Sequence, residues 1–526
     1  MKRWSPTRLG ISLAAAVLVV AACAPAGTGS PAAPAPDAPT VPQKLTIGQS
    51  SITPTMMPYI SICCTQRRYD VYDMVVGQKA DGSVEPMVAT AWKVVDPTIW
   101  EFTTRTDLKF HDATALTVDD VVFSINRAID PQFKYAITNR LQTIAKAELI
   151  NPTTVRVTTK NPDPLLLKRI ALVSVLPKAY LEKVGDTEFS AKPIGSGPFR
   201  VKEYVPDDRV VVVATETHPF RKATGISEVT IRSISEPSAR VAGLKTGDLD
   251  IIDGVPIDQV DTLKGAGFQL LPIDAGGSSA YWIDTVLGDQ PRTGPTANKL
   301  VRQALNYAVD KDTIARNIYK GLTKVEQGQI LQPESFGYNP RLKPYPYDPA
   351  KAKQLLAQAG YPNGFKVNIA GQFASNREDQ AMVLFVQDQL KAINVELAIE
   401  TIGEYAIYRD YFYGDRTRPD IFAPGQVINR PAMDADFAFV WFWSGQVPGS
   451  RHYKNPEYDR LYQASTTELD IDKRLALLKQ AAEVMNEDPP SLFLIQGLFL
   501  IAHKANLKGF EKRTDREARY DQLRFG

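Results

Sequence analysis

Residues able to do chemistry are few in this chain. His111 stands in Lys109-Phe110-His111-Asp112, where an imidazole beside an acid could act as a general base. No nucleophile motif accompanies it: there is no Gly-x-Ser-x-Gly elbow, no Ser-x-x-Lys and no His-Glu-x-x-His. Gly195-Ser196-Gly197-Pro198 lacks the Gly-Lys-Ser/Thr ending that cradles a phosphate, and Gly360 to Gly364 reads as a helix cap and turn. The four histidines are scattered and the three cysteines have no metal-ligand spacing, so no metal or other cofactor is expected. A secreted hydrolase would need a nucleophile–base pair or a metal, and neither is legible. The expectation is a protein that is not an enzyme.

The cysteines do carry chemistry. Cys23 follows Val20-Ala21-Ala22, the small-residue pattern of a bacterial lipobox, behind a basic start (Lys2, Arg3, Arg8) and an apolar run from Leu9 to Val20. This pattern predicts diacylglycerol on Cys23 and removal of residues 1–22 as a signal peptide. Residues 23–43 then form a tether, because the Ala/Pro/Gly/Ser/Thr stretch Ala24 to Pro42, with Asp37 as its one charge, cannot bury enough to fold. One lipid-bearing end anchors a domain to a membrane without spanning it. The chain is thus read as exported and lipid-anchored to the cell membrane, facing the periplasm or the exterior. Cys63 and Cys64, with Thr65 beside them, are the other two cysteines. In an oxidising compartment they could close a strained vicinal disulfide, or remain two free thiols packed in a loop.

Elements must position whatever these residues do, and 526 residues at 44% hydrophobic suffice for more than one core. A formal net charge of +2, with acids and bases interspersed, gives no electrostatic footprint for nucleic acid. Strand-like alternation marks Lys44 to Gly48, Trp100 to Arg105, Thr154 to Thr158 and Arg209 to Ala214. Helices are signalled by Thr117-Val118-Asp119-Asp120 ahead of Val121 and Ile125, by the Asp348-Pro349 start with Gly360 at its end, and by the stripe Leu475, Leu478, Ala482, Met485. Alternating strand and helix signals argue an α/β architecture.

Several stretches resemble the family 5 extracellular solute-binding proteins, the group of dipeptide, oligopeptide and nickel receptors. They are Asp81-Gly82-Ser83-Val84-Glu85-Pro86-Met87 with Trp92 and Trp100-Glu101-Phe102; Leu108-Lys109-Phe110-His111-Asp112; Gly195-Ser196-Gly197-Pro198-Phe199; Val301-Arg302-Gln303-Ala304-Leu305-Asn306-Tyr307; Tyr347-Asp348-Pro349; and Asn455-Pro456-Glu457-Tyr458-Asp459. The resemblance implies a two-lobed periplasmic-binding-protein-like fold of type II, cluster C, with a ligand cleft between lobes joined by two crossing segments. The larger lobe would take residues 44–279 and 492–526, and the smaller lobe residues 280–491. It also implies a monomeric receptor that closes by hinge motion on a small molecule and hands it to an ABC permease; a sensory receptor of the same fold is the alternative. His111 would be scaffold.

For the ligand, peptides lead by resemblance, while opines, glycans, metal chelates and aromatic metabolites stay open. Where peptide-binding relatives place an acid after Gly-Trp to hold the peptide ammonium, this chain has Gln426 and Asn429. That substitution predicts a ligand without a free α-ammonium there, with Asp434 or Asp436 as the alternative partner of an amine. Tyr405 falls where an aromatic contacts ligand, and Trp441 or Trp443 could face the cleft from the run Phe437 to Trp443, otherwise read as a buried strand. Cys63 and Cys64 would border that cleft.

Overall fold

Short β-branched runs become strands where their alternation places them: Gln43–Gln49, Ile99–Thr104, Thr154–Thr159 and Arg209–Ala214. In Ile99–Thr104 the residues Trp100, Phe102 and Thr104 turn inward. The computed structural model describes residues 43–60, 69–216, 218–219, 225–287, 290–374, 377–404, 407–408, 410–411, 419–424, 427–428, 433–445, 453–513 and 518–526. Residues Pro42–Gly526 form one compact unit.

The fold is two-lobed and α/β. An eleven-stranded mixed sheet runs through it in the order Val395–Thr401, Phe365–Gly371, Ile421–Ala423, Gln269–Ile283, Ser491–His503, Ile251–Ile252, Gln43–Gln49, Ile226–Ser233, Arg209–Ala214 and Phe199–Val205, with Val427–Ile428 branching from Gln269–Ile283. The two long strands at its centre, Gln269–Ile283 and Ser491–His503, are antiparallel and pair from Gln269↔His503 to Trp282↔Ser491. They belong to both halves of the sheet and are the crossing segments. A separate four-stranded antiparallel sheet, Ala89–Asp96, Ile99–Thr104, Thr154–Thr159, Ile144–Asn151, lies in the first half of the chain. The helix Val118–Ile129 lays Val118, Val121, Ile125 and Ala128 into the core. Its start is fixed by Asp120, whose carboxylate accepts from the Thr117 backbone N–H at 2.9 Å and from the Thr117 hydroxyl at 2.7 Å.

Apolar packing falls into three clusters. One fills the first half, with Leu45, Ile47, Val71, Tyr72, Phe102, Val155 and Phe199. A second is shared by both halves: Val241, Leu244 and Leu263 pack in one cluster with Val301, Leu305, Ile369 and Val383. A third, aromatic cluster lies in the second half around Trp282, Phe422, Phe439, Tyr458 and Tyr462. Full burial of one such side chain stabilises by about 1.5–3 kcal/mol, so the shared cluster ties both lobes to the crossing strands.

Two expectations are corrected. In the helix Ile471–Glu487 the inward stripe runs through Arg474, Leu478, Ala481, Ala482 and Met485, and Leu475 is half-buried. The buried arginine is tolerated because it is ion-paired. The aromatic run is helical, with Asp436–Phe439 as α-helix and Val440–Phe442 as a 3-10 turn, so its side chains radiate instead of alternating. No helix among the described residues is long and apolar enough to cross a membrane.

Candidate functional site

The carboxyl ends of parallel strands in an open α/β sheet point their following loops into one crevice, which is where such sheets bind ligands. Here those loops come from both halves. From the first half come Glu236 to Val241, opening the helix Pro237–Thr246, and Gly254 to Gln259 after the strand Ile251–Ile252. From the second come Gln372 to Ala374 after Phe365–Gly371, the first turns of the helix Arg377–Lys391, Tyr319, and Ala423. Ser279, Tyr281 and Leu498 to Leu500 of the crossing strands make the floor. Together they enclose a cavity of about 870 Å³.

Arg240 holds the first-half loops in place. It is buried, and its guanidinium donates to the carbonyls of Ile234 at 2.5 Å, Ser235 at 2.9 Å, Asp253 at 3.0 Å and Gly254 at 3.3 Å. One side chain therefore satisfies four carbonyls of two loops that lack ladder partners. Across the cavity, Arg377 Nη1 meets Asp258 Oδ2 at 3.3 Å, joining the second half to the first. The other acids lining it are Glu236, Glu378 and Asp379. The Tyr319 hydroxyl bonds Asp379, and burial together with that carboxylate pushes the Tyr319 pKa up. Tyr281 is buried, its ring edge-on to Phe373 at 6.1 Å, and its pKa is raised by burial first and by Asp379 second.

Ser279 and Tyr281 line this cavity, so the alternate residues Ala280 and Trp282 face the opposite side and join the aromatic cluster. On that side the halves meet through a clasp. Arg140 lies over Phe437 at 5.0 Å and over Trp441 at 5.9 Å. Arg169 Nη2 donates to Asp436 Oδ2 at 3.2 Å, while the Tyr462 hydroxyl donates to Asp436 Oδ1 at 2.8 Å. Asp434 is gripped by Arg474 through two bonds of 2.9 and 2.7 Å, with Lys168 Nζ at 4.0 Å. Phe437 packs in the first-half core although it belongs to the second half.

These contacts decide how the expected site residues stand. Asp434 and Asp436 are buried and already matched by cations of the fold, so neither is set up to receive a ligand ammonium. Trp441 is half-buried, 6.3 Å from Trp282, at the clasp. Trp443 is half-buried against Tyr462 at 5.8 Å. Cys23, Cys63, Cys64, Thr65, Tyr405, Gln426 and Asn429 lie outside the described residues. His111 is part of the frame: its Nδ1 accepts from the Gly195 N–H at 3.2 Å, its Nε2 bonds the Gly197 carbonyl at 3.0 Å, and burial pushes its pKa down to about 4. Glycine is required at both positions, since a Cβ would sit 2.0 Å from the Val71 carbonyl oxygen at Gly195 and 2.3 Å from that of Asp70 at Gly197.

The family model for the bacterial extracellular solute-binding proteins, family 5 (middle), matches residues 83–481. The chain belongs to that family. This family 5 protein is 28% identical over 486 residues to heme-binding protein A of Haemophilus influenzae, covering 87% of this chain and 85% of the relative. It is 26% identical over 450 residues to the glutathione-binding protein GsiB of Escherichia coli, covering 84% of this chain and 86% of GsiB. Among solved structures it shares the fold of the periplasmic binding protein DppA of Helicobacter pylori in complex with peptide STSA, with a TM-score of 0.77 at 24% identity over 92% of this chain and 98% of that one. The family is one of bacterial extracellular solute-binding proteins, and the three relatives named here are binding proteins.

Proposed function

We propose that the chain is a lipid-anchored, non-enzymatic receptor that captures a small solute by closing its lobes and delivers it to an ABC permease. The observation that carries this reading is the cavity beside the crossing strands, to which both halves contribute and which the Arg377–Asp258 pair bridges. A few backbone torsions in two crossing strands can absorb a hinge motion, so a solute that touches both halves favours the closed form. The lobes divide near residues 279 and 492, within the crossing strands. The solute is peptide-like or another small polar or aromatic compound, and the Asn429 end of the cleft takes a group other than an α-ammonium.

Native mass spectrometry of freshly purified protein, paired with small-angle scattering before and after solute removal, tests the receptor reading. A retained solute and an expansion on its removal are expected. A chain that retains nothing and keeps one scattering profile with every extract offered would overturn it. For the anchor, wild-type protein should partition with membranes and Cys23→Ser protein should not be cleaved at that site; soluble wild-type protein with a different N-terminus would sink the anchor alone.

A further inference from the structure

We infer that the solute is a neutral, hydroxyl-rich ring compound, a sugar or short glycoside, and that the Tyr281 hydroxyl donates to one of its oxygens. The inference rests on the receptor reading and adds the chemical class of the ligand.

Tyr281 is the decisive residue. It is 4% exposed, it lines the cavity, and its hydroxyl has no hydrogen-bond partner. Buried hydroxyls are seldom left so. Burial first and Asp379 second push its pKa up, so the phenol keeps its proton and acts as a donor. A donor needs a lone pair opposite it, which an ammonium does not offer and a hydroxyl, ether or carbonyl oxygen does. The strand that carries Tyr281, Gln269–Ile283, lies inside the sheet between Ser491–His503 and Ile421–Ala423. At Tyr281 the floor therefore presents a side chain and not a free backbone edge, so an extended peptide has no strand to pair with there.

The rest of the lining suits groups that both donate and accept. Gln259 and Gln372 each bring an amide with donors and an acceptor, and Ser279 brings a hydroxyl from the same strand as Tyr281. Glu236 and Asp258 only accept. A carboxylate has about four lone-pair sites, so one already bonded within the protein, as both of these are, can still take an O–H. Apolar surface stands beside these groups, where the Phe373 ring meets the Tyr281 ring edge-on at 6.1 Å. A pyranose matches this mixture: its rim is hydroxyls, and its two faces are C–H groups that pack on aromatic rings. The cavity of about 870 Å³ has room for more than one such ring.

Cellobiose, maltose and xylobiose serve as probes, with trialanine as the peptide control. Titrated calorimetrically into exhaustively dialysed mature protein, the best of these disaccharides should bind about tenfold tighter than trialanine. Tyr281→Phe removes a hydroxyl that no protein group uses. The solute-free variant should therefore unfold at the wild-type temperature, while its affinity for that disaccharide falls about tenfold. Gln372→Ala, at a half-buried position, should weaken the disaccharide about threefold. The inference is overturned if none of the disaccharides binds at millimolar concentration, if trialanine binds as tightly as the best of them, or if either variant binds it as wild type does. A Tyr281→Phe chain that unfolds several degrees lower would reveal a protein partner for the hydroxyl and overturn it as well. A retained solute without a sugar ring would overturn it too, while leaving the receptor reading intact.

Discussion

Asp434 and Asp436 on one side of the crossing strands, and Glu378 and Asp379 on the other, are acids of similar type in opposite circumstances. The first pair is buried and saturated: Arg474 grips Asp434 with two bonds, and Arg169 and Tyr462 divide Asp436 between them. The second pair borders a cavity, where the Tyr319 hydroxyl bonds Asp379. Saturated charges fix geometry, because moving any member strands the others in low dielectric. Charges that border a cavity keep a face toward whatever enters it. Residue type alone does not separate frame from cavity lining; the surroundings of each carboxylate do.

The contrast breaks most visibly at Asp434. Asp434→Ala leaves Arg474 buried without its partner and should destabilise the fold by about 3–5 kcal/mol in urea unfolding. An unchanged midpoint would mean that Asp434 is not frame.

Glu326 sharpens the contrast as a third case. It is buried beside the crossing strands, its backbone N–H donates to the Leu494 carbonyl at 3.1 Å, Ser278 is the polar side chain acting on it, and its Oε2 has no hydrogen bond. Burial raises its pKa well above the ordinary carboxylate range. The folded chain therefore holds a proton that the unfolded chain releases above about pH 4.3. The sign follows: stability is fully present below that pH and is lost as pH rises toward the folded pKa, by about 1.4 kcal/mol per pH unit. Glu326→Gln cannot ionise, so the stability of the variant minus that of wild type should grow with pH at that slope. Parallel curves in thermal unfolding at matched pH would show that Glu326 finds a counter-charge.

A smaller effect is expected at Arg140, where Arg140→Met removes a cation from the faces of Phe437 and Trp441 and should destabilise the fold by about 0.5–2 kcal/mol. An unchanged midpoint in urea unfolding would mean that the clasp contributes nothing to stability. The least effect belongs to the Arg377–Asp258 pair, 88% and 52% exposed. Arg377→Gln should change stability by about 0–1 kcal/mol, and by nothing measurable in roughly molar salt.

Much of the frame was legible in the chain. Alternation located the strands Gln43–Gln49 and Ile99–Thr104, and the Asp348 N-cap accepts from the Lys351 N–H at 2.8 Å as its position ahead of Pro349 implies. These signals are local, and so are the contacts that answer them. Arg474 was illegible as a core residue because its burial depends on Asp434, forty positions away. The aromatic run misled because an unbroken apolar stretch suits a buried helix as well as a strand. The cavity was missed for a related reason: Tyr281, Phe373 and Glu378 are ordinary residues in sequence, and only the sheet order brings them together. One signal could have found part of it. Gly371-Gln372-Phe373 ends a β-branched run and is followed by Arg377-Glu378-Asp379 at a helix start, the strand-to-helix turn where α/β sheets place their ligands.

The crossing strands have a mechanical consequence. Their ladder is continuous up to Asp274↔Leu498 and resumes at Ser278↔Gln496, so one strand carries two more residues than the other across the gap. A bulge of this kind bends its strand and interrupts the ladder locally, leaving the rungs on either side intact. In the proposed receptor a hinge at this place would bend where pairing is already broken. The clasp of Arg140, Arg169 and Asp436 lies on the far side of those strands from the cavity, so in the proposed receptor it would set the angle at which the lobes rest without touching the solute.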